Sequence, residues 1–345
     1  MKKVLMIVLI MVLTITSFAA CSNNKQAAED QEKATGIQEE AAEKPEEAEQ
    51  ISVKVAAPTG APTLSMIRMF KEQPSFGDHV NIQYESVQSP DLMASRLLSG
   101  EVDIAVVPTN LAASLYHRGA DFQLVASSVW GVLYMVGNEE IDQWEDLKGK
   151  DIHTLGRGLT PDIILRYVLS GNGIDPDQDV NLHYMGGATE LAPAFTAGQI
   201  DLAVIPEPAL TNILMNREDA VVLYNLQEEW SRLNEGYSSY PQASLIISRD
   251  LIDNQRAFVD AFLEEYESSI DWLFENRELA GEYSEELEVG MRKGAVVQGL
   301  ERMNIEYQHA SEAKPSIEAY IRVLLEAAPD TVGGKELDDN FYMEK

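Results

Sequence analysis

The segment Ser99-Gly100-Glu101-Val102-Asp103-Ile104-Ala105-Val106-Val107-Pro108 returns, substituted but in the same order, as Ala197-Gly198-Gln199-Ile200-Asp201-Leu202-Ala203-Val204-Ile205-Pro206. Such a repeat confines the chain to folds built from two similar halves. The echo extends upstream: Val80-Asn81-Ile82-Gln83-Tyr84 answers to Val180-Asn181-Leu182-His183-Tyr184, and the turn glycine Gly60 to Gly158. Each copy reads as strand, glycine turn, helix, strand, helix and a short apolar strand ending at proline. That alternation builds a parallel α/β sheet with helices on its faces. The expected fold class is therefore α/β, two Rossmann-like lobes facing each other across a hinged cleft.

The first residues give the expected location. Lys2 and Lys3 precede an apolar run from Val4 to Phe18 that closes in small residues, the pattern of a secretory signal over residues 1–20. Phe18-Ala19-Ala20-Cys21 resembles a bacterial lipobox, with Phe18 where leucine is usual. Cys21 is the only cysteine, so an internal disulfide, a cysteine metal site and a buried catalytic thiol are excluded. Lipidation of Cys21 is the expectation; a cleaved signal with a leftover thiol is the plainer reading. Residues 21–50 are rich in Glu, Ala, Gln and Lys with almost no large apolar side chain, a composition that cannot offset the entropy of ordering and reads as a tether. From Ile51 onward the chain is long and apolar enough for two lobes. Its 57 acidic against 26 basic residues give a formal charge of −31, which repels nucleic acid and anionic membrane surfaces.

Helix starts carry the functional expectation. Pro58-Thr59-Gly60-Ala61-Pro62-Thr63 turns the first strand into a helix over Leu64 to Phe70, with Pro62 suited to the first turn and Thr59 or Thr63 to its free N–H groups. Gly156-Arg157-Gly158-Leu159-Thr160-Pro161-Asp162 does the same for a helix from Ile163 to Ser170. Further starts fall at Ser89-Pro90-Asp91 and at Gly187-Ala188-Thr189-Glu190. Several N-termini converging on one opening suit an anionic or strongly polar group, although any single one reads equally as a capped helix end. Val132 to Gly137 and Gln242 to Ser248 read as strands, the chain crossing near Ser128 to Gly131 and returning near Tyr237 to Gln242. Residues 51–130 with 242–345 would then form one lobe, and 131–241 an inserted second.

The run Glu145-Asp146-Leu147-Lys148-Gly149-Lys150, the two repeated Gly-x-x-Asp strands and the lipobox resemble the solute-binding lipoproteins of ABC importers, in the branch of nitrate, taurine, alkanesulfonate and thiamine-pyrimidine binding proteins. The resemblance covers about Ile51 to Glu275. It implies the type II periplasmic-binding-protein fold and a monomer held on the extracytoplasmic face of the cell membrane by its lipid alone. It further implies closure on a small-molecule ligand, delivery to the transmembrane permease subunit of an ABC transporter, and no chemistry, cofactor, metal or nucleic acid. Carried over motif by motif, it assigns ligand contact to Thr59, Gly60, Thr63 and Ser89, then to Thr109, Asn110 and Trp130. In the second lobe it assigns Arg157, Gly158, Thr160, Thr189 and Glu207, and at the return crossing Tyr240, beside Tyr237 and Gln242.

Residue chemistry leaves the ligand open. Arg157 in its glycine-flanked loop can grip a sulfonate, carboxylate or phosphate with paired N–H groups, or merely balance an acidic lobe. Glu207 can accept from an amine or aminopyrimidine, or pair with a neighbour, Arg157 included. Trp130 and the tyrosines can stack on a flat ligand or pack the hinge. The histidines at 79, 117, 153, 183 and 309 have no metal-ligand spacing, and only His153 and His183 could approach each other. The expected ligand is organic, with an aromatic or heterocyclic part of the thiamine-pyrimidine kind; alkanesulfonate, taurine or nitrate is the alternative. An enzyme of the same fold and a sensor subunit are the remaining classes, and export together with a single cysteine argues against the enzyme.

Overall fold

A computed structural model describes residues 50–344 apart from Ser89, Glu235 and Ser238, and apart from the side chains of Pro90 and Asp91. The signal, Cys21 and the tether lie outside the described residues. Two sheets organise the rest. The first contains β1 (Ile51–Pro58), β2 (Val80–Val87), β3 (Ile104–Pro108), β4 (Phe122–Trp130), β10 (Pro241–Ser248) and β11 (Ile305–His309), in the order β11-β4-β10-β3-β1-β2. The second contains β5 (Leu133–Gly137), β6 (Asp151–Leu155), β7 (Asn181–Met185), β8 (Leu202–Pro206) and β9 (Val221–Asn225), in the order β7-β6-β8-β5-β9.

The repeat is visible in the pairing. β1 lies parallel between β2 and β3, and β6 lies parallel between β7 and β8. Each parallel trio is continued by an antiparallel strand, β10 beside β3 and β5 beside β8. The repeated segments supply the equivalent strands β3 and β8, whose residues are buried until the terminal proline. Runs buried on both faces need unbroken apolar character, which explains Ile-Ala-Val-Val and Leu-Ala-Val-Ile. The chain leaves the first sheet at Trp130, enters the second at Leu133, and returns at Pro241, which pairs with Trp130. The strand β11, absent from the sequence reading, extends the first sheet next to β4.

Glycine turns start the helices at strand ends. Gly60 sits at φ 104°, ahead of the short helix Ala61–Leu64, and Gly158 at φ 72°, ahead of the helix Thr160–Gly171. Both values lie in the region that side-chain-bearing residues avoid. Pro62 and Pro161 follow in the first turns, where a missing N–H costs nothing. Trp230, Tyr240 and Tyr320 are fully buried around the crossings: Trp230 meets Tyr240 edge-on at 5.4 Å, and Tyr240 stacks on Tyr320 at 5.5 Å. Trp230 comes from the helix Leu226–Leu233 and Tyr320 from the helix Ala310–Ala327. This aromatic block joins elements of both sheets, so no local segment could bury it alone.

Candidate functional site

The carboxyl ends of β1, β3, β6 and β8 hold most of the residues singled out in the sequence, and the structure disperses their side chains. At the end of β1, Thr59 and Gly60 are half-buried, while Thr63 is buried and donates its hydroxyl to the Pro58 carbonyl at 2.6 Å. After β3, Thr109 is buried with its hydroxyl 2.8 Å from that of Ser244, which lies 3.0 Å from Ser127 Oγ; Asn110 is half-buried. Ser89 lies outside the described residues. Trp130 is buried, and its indole N–H donates to the Glu306 carbonyl at 3.0 Å. Tyr240 is fully buried with its hydroxyl 3.2 Å from Gln227 Oε1; Tyr237 and Gln242 are half-buried.

In the second sheet, Arg157 and Gly158 are exposed. The Arg157 guanidinium lies over the Tyr184 ring, 5.1 Å from its centre, and makes no ion pair among the described residues. Its loop is fastened by Asp162, a buried carboxylate that accepts from the Gly158 N–H at 2.8 Å, from Arg166 Nε at 2.9 Å and from the Tyr184 hydroxyl at 2.7 Å. Thr160, next in the chain, is buried, with its hydroxyl 2.8 Å from that of Tyr320. Arg157, Gly158 and Asp162 line one cavity of about 530 Å³ together with Arg166 and Glu326.

Glu207 and Thr189 line a different cavity, of about 680 Å³. Its walls are the helices Ala188–Thr196 and Ala209–Asn216, with Ala192, Pro193, Ala197, Pro206, Pro208 and Ala209 as apolar surface and Asn212 and Asn216 as amides. Gly290 closes it from the other half of the chain, between Val289 and Met291, which are buried in the core of the first sheet. A Cβ on Gly290 would stand 3.3 Å from Thr59 Cβ, which puts Thr59 behind that wall. Thr189 is exposed in the first turn of its helix. Trp130 borders a third cavity of about 400 Å³ with Ser239 and Asn304. A fourth, about 490 Å³, sits around Lys150, Asp151 and Asp201, at the strand edge opposite the helix starts, so the loops that position Arg157 and Glu207 do not reach it.

Glu207 has a partner the sequence reading did not find. Its side chain is 0 % exposed. The carboxylate accepts from the Thr211 N–H at 3.0 Å, the Thr211 hydroxyl at 2.9 Å and Arg302 Nε at 2.5 Å. Thr211 lies in the first turn of the helix Ala209–Asn216, so the carboxylate caps a helix start. Arg302 belongs to the short turn Leu300–Met303 and also donates from Nη2 to the Thr211 hydroxyl at 2.6 Å. Beside it the buried Tyr134 donates its hydroxyl to the Arg302 carbonyl at 2.9 Å, and burial first, with Glu207 nearby, pushes that phenol up to about 12. The capping i, i+4 spacing of Thr211 is readable in the sequence; the arginine, 95 residues away, is not.

The structure brings His153 and His183 together, their rings stacked at 4.9 Å, with His183 Nε2 3.2 Å from Asp151 Oδ1. Among the described residues no group of three or more His, Cys, Asp or Glu is placed to hold a metal ion, and no helix is long and apolar enough to cross a membrane.

Comparison with known proteins follows the same lines. The sequence profile of the family described as NMT1/THI5 like matches residues 79–280, more than half of the chain. YtlA of Bacillus subtilis (strain 168), named as a binding protein, is 26% identical over 135 residues, 37% of this chain; the chain thus spans only 40% of the length of that curated relative. Among solved structures, an ABC transporter from Parabacteroides distasonis superposes with a TM-score of 0.74 at 26% identity, covering 85% of this chain and 99% of that one. The periplasmic aliphatic sulphonate binding protein SsuA from Escherichia coli superposes with a TM-score of 0.66 at 16% identity, covering 85% and 92%, a likeness of fold.

Proposed function

We propose that this chain, which belongs to the NMT1/THI5-like family, is the extracytoplasmic solute-binding component of an ABC importer. In this reading it takes a small organic solute between its two halves and presents it to a transmembrane permease subunit, while lipid on Cys21 keeps it at the membrane. The observation that carries the proposal is the cavity of about 680 Å³ at the end of β8, walled by second-sheet helices and closed by Gly290 from the other half. Clefts of this size with apolar walls and a few polar groups suit drug-sized or metabolite-sized molecules. Nitrate would leave most of the volume empty. A flat ring or a short chain fits between the alanine and proline walls, with Thr189, Asn212 and Asn216 to orient it. The resemblance to an ABC transporter structure at 26% identity supports the importer role, and binding without turnover is part of the same reading.

The second reading is an anionic solute such as a sulfonate. The exposed guanidinium of Arg157, without an ion pair among the described residues of a strongly acidic chain, favours it. A thermal-shift screen separates the two. A solute at 100 times its Kd adds about 2.7 kcal/mol to stability. Heterocycles, amides, sulfonates, nitrate and amino acids are tested against the parent protein, Thr189→Trp, which fills the cavity, and Arg157→Ala. A shift abolished by Thr189→Trp supports the cavity; one abolished only by Arg157→Ala supports the anion reading. A solute whose shift survives both, or one that the protein converts chemically, overturns the proposal.

A further inference from the structure

The helix Ala209–Asn216, one wall of the 680 Å³ cavity, is engaged on three sides at helical spacing. Leu210 and Ile213 pack into the core of the second sheet. Pro208, Asn212 and Asn216 line the cavity. The side chains of Glu207, Thr211 and Met215 meet a C-terminal segment, residues 290–302, that runs past the helix in the opposite direction. Arg302 donates to Glu207 and to the Thr211 hydroxyl. A Cβ on Gly299 would run into that hydroxyl and stand 3.2 Å from Thr211 Cβ, and one on Gly294 would stand 3.1 Å from Met215 Cε. Gly290, at the start of the segment, is itself in the cavity wall. The segment is anchored in the other half of the chain. Val296, Leu300 and Met303 are fully buried in the core of the first sheet, the Ser284 hydroxyl donates to the Met291 carbonyl at 2.9 Å, and the Lys293 N–H donates to the Glu285 carboxylate at 2.9 Å. Glycine is a poor helix former, yet the short helix Lys293–Gly299 contains Gly294 and Gly299, each where a side chain would crowd the cavity-wall helix.

We propose that Gly299 and Arg302 are positioning residues for the solute cavity: they fix the helix Ala209–Asn216 from the other half of the chain, so that side chains remote from the solute set the spacing of the cavity walls. This rests on the reading of the cavity as the solute site and extends it. Gripped and lining residues are neighbours along one short helix, Glu207 beside Pro208, Thr211 beside Asn212, Met215 beside Asn216. A slide or tilt that relieves a crowded Thr211 therefore carries the lining residues with it, because closely packed interiors transmit strain. The facing wall, the helix Ala188–Thr196, is rooted instead in the core of the second sheet through Leu191 and Phe195. One wall thus follows its own sheet while the other is also held by the C-terminal segment, and a change in that segment reshapes the cavity with its lining intact.

The test compares Gly299→Ala and Arg302→Leu with Gly171→Ala, whose added methyl meets the end of the Leu233 side chain, away from the segment. Two signals are read under native conditions: exchange of backbone amide hydrogens, and the emission of an environment-sensitive dye on Thr189→Cys in a chain whose only cysteine, Cys21, is replaced by serine. Both segment variants are expected to speed exchange over Ala209–Asn216 about tenfold, the scale of one overpacked or unpaired contact, and to leave Ala188–Thr196 within about twofold of the parent. They are also expected to shift the emission of the dye, which sits on the facing wall, whereas Gly171→Ala does neither. Gly294→Ala, milder because it meets only the flexible end of Met215, gives the same comparison if Gly299→Ala does not fold. Folded segment variants with parental exchange and emission overturn the proposal. So does faster exchange spread evenly over the second half or matched by Gly171→Ala, the mark of a general loss of stability. No solute is needed for either signal, so a screen in which no shift depends on Thr189→Trp would overturn the solute reading of the cavity, while these signals decide separately how its wall is held.

Discussion

Arg302→Ala withdraws the guanidinium that reaches Glu207 from the far half of the chain. A buried charge stripped of its partner costs about 3–5 kcal/mol. Two features reduce that figure: the Arg302 side chain is 30% exposed, so water can follow it out, and Thr211 continues to donate twice. The remaining cost should be about 1.5–3 kcal/mol. At roughly 2 °C per kcal/mol for a chain of this size, the melting temperature should fall by about 3–6 °C. Glu207→Gln removes the charge while keeping an acceptor for Thr211, so the two single variants and the double variant close a thermodynamic cycle. Thermal unfolding of the four proteins should give a coupling energy of about 1–2 kcal/mol. A coupling below about 0.3 kcal/mol would refute the argument that these side chains act as a pair.

Other expectations follow from single contacts. Gly131→Ala places a Cβ 2.4 Å from Gln227 Cγ and 2.6 Å from the Tyr240 ring at the crossing between sheets, so a loss of about 1–3 kcal/mol is expected in urea unfolding, and an unchanged midpoint would contradict the packing described. His153 is held below the ordinary histidine value, first by burial and then by His183. The unfolded chain then takes up that proton before the folded one, so the neutral imidazole contributes stability that is present above about pH 6.5 and lost as the pH falls below it. His153→Asn should flatten the decline in urea midpoint between about pH 7 and 5, and an unaltered slope would remove His153 from the account. Arg157→Ala, at an exposed position, should change stability by less than about 0.5 kcal/mol; a larger loss would mean that its stack on Tyr184 has a structural role.

What was legible in the sequence and what was not divides along the distance of the contact. The repeat at Ser99–Pro108 and Ala197–Pro206 places β3 and β8 because a parallel strand, its glycine turn and the next helix are specified by neighbours in the chain. The same locality locates Thr59, Arg157, Thr189 and Glu207 at strand and helix ends. It says nothing about what faces them. Trp130 and Tyr240 carry the same apolar ring whether it stacks on a ligand or fills a hinge, and the structure buries both, with Trp130 bonded to the Glu306 carbonyl at the border of a cavity and Tyr240 to Gln227. Arg157 and Glu207, read as a possible pair, line separate cavities, because Asp162 fastens the Arg157 loop against Tyr184 while Arg302 claims Glu207. Arg302 could not be chosen in advance: its turn lies outside both copies of the repeat, so it has no echo to mark it. It follows that the repeated scaffold and the setting of the buried Glu207 have different sources. The scaffold comes from the two duplicated units, whereas the buried Glu207 carboxylate at the end of β8 is held by Arg302, a residue of the C-terminal part that belongs to neither copy.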